Sequence, residues 1–396
     1  MNSGYSDSYP LPTSLQISAT QATIDHYLQP INRDPNSRID TVPYYQFHDI
    51  TPRSKKIWGT VLIFHDFSAT PRQTRPLADY LYAHGFNIYQ ASIAGHAVLP
   101  PDKFWPQISF KPKLYDLLRQ QVENDPIFQN YRQALITNSE YVAMLTRAQR
   151  SALLERLLTL EPRLQEVISA LNSDTLPQTT PYFDSTTATY LEHAQDRLTD
   201  LAELPSPIYV IGIGLGATLG LLLAADRPHR IKRVVAYAPF LQLWREFYQY
   251  WLMADVFNIR EPGWQQQISC PARTWAPLAE LSQTLSMAKV QKNLRKVPIF
   301  WVSTENDEVN DPEADSQFMQ QLGGTWKGNY HYLYPRHALV PRAVITPPSD
   351  SLGMSNYFWR SLYQETWRFL VTGEVDQRHL GQWQLDSRLP SLGDDH

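Results

Sequence analysis

Short apolar runs rich in β-branched and aromatic residues recur along the chain: VPYYQF at 42–47, TVLIFH at 60–65, FNIYQAS at 86–92, IYVIG at 208–212, RVVAY at 233–237, VPIFWVS at 297–303 and YHYLY at 330–334. Residues of these types favour extended backbone, and runs apolar on both faces predict strands in a sheet covered on each side. Helical patterns separate many of them: PLADYLYAHG at 76–85, YLEHAQDRLTDLAE at 190–203 and PEADSQFMQQLGG at 312–324. Alternating strands and helices predict an α/β protein with a mainly parallel sheet flanked by helices.

Two segments interrupt the alternation. Residues 103–188 read as a helical insertion, in which Leu153, Leu157, Leu160, Leu164, Val167 and Leu171 follow a 4-3-4-3-4 spacing and Pro162 is placed to open a new helix. It is expected to be a hairpin packed on its own domain, with a lid or partner-binding arm as the alternative. Residues 240–293 read as a cap. They include LQLWREFYQYWLMADVF, whose Leu243, Phe247, Tyr250, Trp251 and Met253 suit packing onto the sheet, an acyl pocket or an interface. No Lys or Arg cluster accompanies these aromatics, so peripheral membrane contact is not the expectation. The core is assigned to 23–102, to 189–239 with the elbow region, and to 294–372. Residues 1–22 and 373–396 lack apolar periodicity and are expected to be tails.

Composition narrows the function classes. With 43% hydrophobic and 19% charged residues, the chain is expected to fold rather than stay disordered. Thirty-five basic against 39 acidic residues leave a net charge of −4, which gives no cationic field for a nucleic-acid partner. The single cysteine, Cys270, allows neither an intramolecular disulfide nor a cysteine-built metal site, and the N-terminal residues have no secretory pattern; a cytoplasmic protein is expected. The 22 uncharged residues between Glu203 and Asp226 are long enough for a membrane span. Pro205 and Pro207, the run IYVI and glycines 212, 214, 216 and 220 read instead as strand, tight turn and buried helix, so no transmembrane segment is expected.

Over roughly residues 40 to 372 the order of elements resembles the α/β-hydrolase fold superfamily, in its carboxylesterase and monoacylglycerol-lipase-like branch. GTVLIFHDFSATPRQTRPLADYLYAHGFNIYQASIAGHA is similar to that family's strand, His-Gly oxyanion loop, first helix, next strand and Gly-His-Gly turn. PIYVIGIGLGATLGLLLAA resembles the nucleophile strand, elbow and helix, VPIFWVSTENDEV the acid strand, and YPRHALVP the histidine loop. The resemblance implies an acid at Asp307, a base at His337 and an oxyanion hole from the backbone N–H groups of Phe67 and Leu215.

An elbow of the form G-x-S-x-G holds a nucleophile at the tip of a sharp strand-to-helix turn. Here it reads Gly212-Ile213-Gly214-Leu215-Gly216, so the nucleophile position is vacant at Gly214. Because a carboxylate orients an imidazole and stabilises its charged form, Asp307 and His337 are expected to adjoin Gly214. A second departure is Asp66, where the family has glycine. Pointing inward, its carboxylate would repel the charge of a tetrahedral intermediate; pointing to solvent, it would cap the next turn. Loss of a serine nucleophile alone costs on the order of 10⁶ in turnover.

The expected function is therefore a catalytically silent or impaired member that binds a small hydrophobic or ester-like ligand, or a protein partner through the insertion. The alternative is an active ester hydrolase using a His337-activated water or another nucleophile. Ser68, Ser92 and Thr218 read as turn and helix hydroxyls. GIGLGA also resembles a dinucleotide fingerprint, but the following strand, RVVAYAPF, ends without an acidic residue for a ribose hydroxyl. His96 and the histidines of HYLYPRH lack the spacing of a zinc helix. Neither a cofactor nor a metal is expected.

Overall fold

The seven apolar runs become strands of a single sheet in the computed structural model of the chain, which describes residues 11–39, 44–48, 57–137, 147–171, 181–205, 207–243, 250–251, 256, 260–263, 268–347 and 353–382. In chain order the strands are β1 (Tyr45–Gln46), β2 (Gly59–Phe64), β3 (Phe86–Ala91), β4 (Ile108–Phe110), β5 (Phe183–Ser185), β6 (Ile208–Ile213), β7 (Ile231–Tyr237), β8 (Arg260–Pro262), β9 (Ser269–Pro271), β10 (Ile299–Thr304) and β11 (Tyr330–Tyr334). The main sheet runs β1-β3-β2-β6-β7-β10-β11, and only the β1–β3 pair is antiparallel. This is the expected α/β class, a mainly parallel sheet flanked by helices.

Both faces of the central strands are covered, which is why β2, β6 and β10 are largely apolar. Leu62, Phe64, Val210, Val234, Ala236 and Trp301 enter the larger core on one face. Val61, Ile63, Ile211, Val235, Phe300 and Val302 face the other way, packing with residues of helices Arg75–Ala83 and Trp359–Thr372. The alternation is the period-2 side-chain pattern of extended chain. Register fixes what lies at the end of the sheet: Gly212 pairs with Phe64 on one side and Ala236 on the other, and Tyr237 with Val302. The carboxyl ends of β2, β6, β7 and β10 are thus level, and the loops holding Asp66, Gly214, Ala238 and Asp307 meet there. In open α/β sheets that edge is where ligands bind.

The uncharged run 204–225 resolves into β6 and helix Leu215–Asp226, whose residues are buried up to Ala225. Among the described residues, no helix is long and apolar enough to cross a membrane. Within 103–188 the chain forms helices Pro112–Asn124, Pro126–Thr137, Arg147–Leu160 and Leu164–Leu171. Leu153, Leu157, Leu164 and Val167 belong to the same apolar core as the sheet, and Leu160 packs at its border. In the 240–293 segment, helices Ala276–Ser286 and Ala288–Leu294 lie against helix Leu215–Asp226. Tyr250 and Trp251 are buried and Leu243 partly so, whereas Phe247 and Met253 fall outside the described residues.

Two tail assignments need correction. Ser14–Arg33 is a helix started by a capping box, in which the Thr13 hydroxyl accepts from the Gln16 N–H and the Gln16 side chain accepts from the Thr13 N–H. Its inner face, Ile17, Thr20, Ile24 and Leu28, is buried. At the other end, residues 373–382 are tied back to helix Trp359–Thr372 by buried Glu365, which accepts from the Asp376 N–H (2.7 Å) and pairs with His379 Nδ1 (2.8 Å). Residues 1–10 and 383–396 lie outside the described residues.

Candidate active site

The turn after β6 is built for close approach. Gly214 adopts φ 54°, ψ −116°, a conformation that strains any residue with a Cβ, and helix Leu215–Asp226 begins immediately after it. Its N–H donates to the Tyr237 carbonyl (2.8 Å), and its carbonyl accepts from Ala217 and Thr218 (both 3.1 Å). A Cβ on Gly212 would overlap the Gly216 carbonyl, and one on Gly216 the carbonyls of Phe64 and His65. Those two glycines let the helix fold back across β2 and β6.

A Cβ on Gly214 would overlap the Asp66 carboxylate, both its Oδ1 and its Cγ. Of the two orientations open to Asp66, the structure has the inward one. Its Oδ1 accepts from the backbone N–H groups of Phe67 (2.7 Å) and Leu215 (2.9 Å), and its own N–H donates to Gln73 Oε1 (2.8 Å). Two N–H groups converging on one oxygen, one of them at a helix N-terminus, form a strong anion site. Here the oxygen they hold belongs to the chain itself. The same helix terminus is where a dinucleotide would place its pyrophosphate.

Arg342, which the sequence reading did not single out, closes the arrangement. Its Nη1 lies 3.3 Å from Asp66 Oδ2 and its Nε 3.4 Å from Asp307 Oδ2. The Nη2 donates to the Ala238 carbonyl (2.9 Å), and the guanidinium stacks on the Phe240 ring, 3.9 Å from its centroid. The side chains of Asp66, Arg342 and Asp307 are 8%, 11% and 1% exposed, so the two carboxylates share one cation away from bulk water. A lone arginine in a Pro-rich loop has no spacing that marks it; only its position five residues beyond His337 hinted at the site.

Asp307 sits where expected, after β10, but its carboxylate is already committed. Oδ1 accepts from the N–H groups of Val309 (2.8 Å) and Asn310 (2.9 Å), and Oδ2 accepts from Asn310 Nδ2 (3.3 Å) beside Arg342. Burial pushes its pKa up, with Arg342 and the Asn310 and Val309 hydrogen bonds opposing. His337 lies in an exposed turn, Arg336–Ala338, which is fastened to the β10 loop by Arg336 N–H to Glu305 Oε2 (2.7 Å) and Asn306 Nδ2 to the Arg336 carbonyl (3.1 Å). The expected carboxylate–imidazole pair is not formed: no hydrogen bond or ion pair joins His337 to Asp307 among the described residues. The Asp307 carboxylate is instead shared among the Val309 and Asn310 N–H groups, Asn310 Nδ2 and Arg342.

The remaining candidates are structural. His65, buried, donates from Nδ1 to the Asp66 carbonyl (2.8 Å) and accepts at Nε2 from Ile93 N–H (3.2 Å); burial lowers its pKa to about 3, keeping it neutral. It braces the Asp66 loop. Thr218 Oγ1 exchanges hydrogen bonds with the Phe240 backbone (2.8 and 3.1 Å). Ser92 Oγ donates to the Ile93 carbonyl (3.4 Å), and Ser68 has φ 61° in a turn whose carbonyl accepts from Arg38 (2.8 Å). Among the described residues, no group of three His, Cys, Asp or Glu could hold a metal ion.

No protein-family model matches the chain, and no curated protein matches it. Similar solved structures include a soluble variant of monoglyceride lipase from Saccharomyces cerevisiae, 12% identical over 88% of this chain and 98% of that chain, TM-score 0.45. Others are a metagenome-derived lipolytic enzyme (13%, 80% and 95%, TM-score 0.43) and the Paleococcus ferrophilus monoacylglycerol lipase (11%, 81% and 96%, TM-score 0.43). With every TM-score here below 0.5, the fold class rests on the strand order and register above.

Proposed function

We propose that this chain is an α/β-hydrolase-fold protein whose nucleophile position is occupied by Gly214, and that it is catalytically silent and acts by binding a small, mainly apolar ligand at the carboxyl edge of the sheet. What supports the reading most is Asp66. Its carboxylate fills the space a side chain at 214 would need and takes both N–H groups that would otherwise stabilise an oxyanion. An acyl substrate would have to displace a buried carboxylate paired with Arg342, and would then find no hydroxyl at the turn. Asp307, bound to Arg342 and Asn310, has no imidazole to orient. A His337-activated water gains no support from an exposed imidazole that makes no hydrogen bond or ion pair with that carboxylate.

A fluorophosphonate probe and p-nitrophenyl butyrate test this directly. The expected outcome is no labelling and no turnover above the solvent rate. Gly214→Ser alone is expected to stay unlabelled, since the new side chain meets Asp66. Hydrolysis that His337→Ala abolishes would overturn the proposal.

A further inference from the structure

Arg38, which stands between the N-terminal helix and β1, reaches the Asp66 loop from outside it. Its Nη2 donates to the Ser68 carbonyl (2.8 Å) and its Nη1 to the His96 carbonyl (3.3 Å). The backbone around Arg38 is held as well. Ser37 bridges Val98 in antiparallel pairing, Arg38 N–H donates to the Ala97 carbonyl (2.8 Å), and Leu99 N–H donates to the Asn36 carbonyl (3.0 Å). Ile39 packs with Tyr44 and Ala97 in a small apolar cluster separate from the two faces of the sheet. Residues 14–39 thus run from a docked helix to a pinned guanidinium.

What Arg38 grips is a turn whose geometry sets the Phe67 N–H. Ala69 N–H donates to the Asp66 carbonyl (3.2 Å), and Ser68 between them has φ 61°, a value that favours glycine. A residue with a Cβ keeps such angles only where its surroundings impose them. Peptide units are planar, so fixing one end of a unit fixes the other. The unit joining Ser68 to Ala69 has Arg38 on its oxygen and the Asp66 carbonyl on its N–H. The unit joining Asp66 to Phe67 has that carbonyl at one end and, at the other, the N–H that donates to Asp66 Oδ1 (2.7 Å). The second arm of Arg38 arrives at the same carbonyl. His96 N–H donates to the Ile93 carbonyl (3.1 Å), Ile93 N–H to His65 Nε2 (3.2 Å), and His65 Nδ1 to the Asp66 carbonyl (2.8 Å). Both arms therefore end on the Asp66 backbone.

We propose that Arg38 is a positioning residue that holds Asp66 at the tip of the 212–216 turn, so that residues 14–39 act as a strap on the candidate site. The proposal rests on the reading above only in that Asp66 fills the turn. Amide hydrogen exchange of the full chain, read residue by residue by NMR, tests it with Arg38→Ala and Arg38→Lys. Arg38→Ala is expected to speed exchange at Phe67 and Leu215 about tenfold, while Val210 in β6 and Val234 in β7 keep their rates. Arg38→Lys, which returns a charge and a donor to the Ser68 carbonyl, should fall between the parent and Arg38→Ala. The drop in urea midpoint caused by Gly214→Ala should be about halved in the Arg38→Ala background, because a released Asp66 can move aside. Exchange that rises equally at all four amides, exchange unchanged at Phe67 and Leu215, or the same midpoint drop in both backgrounds would each overturn the proposal and leave the silent-site reading standing. Phe67 and Leu215 amides that exchange freely in the parent would instead remove Asp66 from the turn, and with it both that reading and the strap.

Discussion

Arg342 is one guanidinium between two buried carboxylates, and each of the three depends on the other two. Removing the cation leaves Asp66 and Asp307 facing each other's charge with little water to screen it. Arg342→Ala is therefore expected to lower stability at pH 7 by about 3–5 kcal/mol, the usual cost of orphaning a buried charge. The sign of the pH dependence follows from Asp307. Its folded pKa lies above the ordinary value of 3.8, so its protonated form is the one that folding favours. Stability from this group is complete below that ordinary value and is lost as pH rises through the raised one. Without Arg342 the loss should deepen, so urea denaturation at pH 4 and pH 7 should differ more for the variant than for the parent. Asp315, also buried, is pushed well above the ordinary range by burial and by the charge of Asp307. Asp315→Asn should accordingly flatten the fall in stability between pH 4 and 7; an unchanged slope would show that Asp315 is not the proton reservoir.

At the scale of elements, the N-terminal helix is the piece whose role was least evident. Its buried face has only Ile17, Thr20, Ile24 and Leu28, one of them a threonine. So short an apolar stripe, interrupted by a polar residue, supplies little periodic signal, and the sequence up to residue 22 reads as a tail. Tertiary contacts overrule that: the Tyr27 ring lies under the Arg197 guanidinium, 3.4 Å from ring centroid to Cζ, and Arg197 is held by Asp200 (2.7 Å), which also accepts from the Tyr89 hydroxyl (3.0 Å). The helix is thereby joined to helix Ala188–Thr199 and to β3. Ile24→Ala should cost about 2–5 kcal/mol, and Thr13→Ala about 1 kcal/mol through loss of the cap. Hydrogen exchange should report both as faster exchange confined first to residues 14–33; uniform exchange across the sheet would contradict a separately docked element.

For the molecule as a whole, what could be read in advance follows from how much physics is local. Seven strands and their sheet were legible because β-branched and aromatic runs covered on both faces leave a sequence trace at every strand. The glycine-lined turn at 212–216 was legible because only residues without Cβ tolerate such an approach. Whether Asp66 turns inward was not, since a loop aspartate suits a cap as well as a buried site; the answer depends on Leu215 and Arg342, respectively 149 and 276 residues away. The ion pair of Asp307 with Arg342 was hidden on the same ground, because an arginine without periodicity leaves no trace of what it will pair with. The central claim is that the Asp66 carboxylate fills the tip of the turn, and urea denaturation of Gly214→Ala in two backgrounds tests it most directly. In the parent chain the methyl group should cost markedly more than the roughly 1–3 kcal/mol of strain its backbone angles impose, and in an Asp66→Gly background the cost should fall to that strain alone. An identical cost in both backgrounds would mean that Asp66 lies elsewhere, and the account of a silent site would be contradicted.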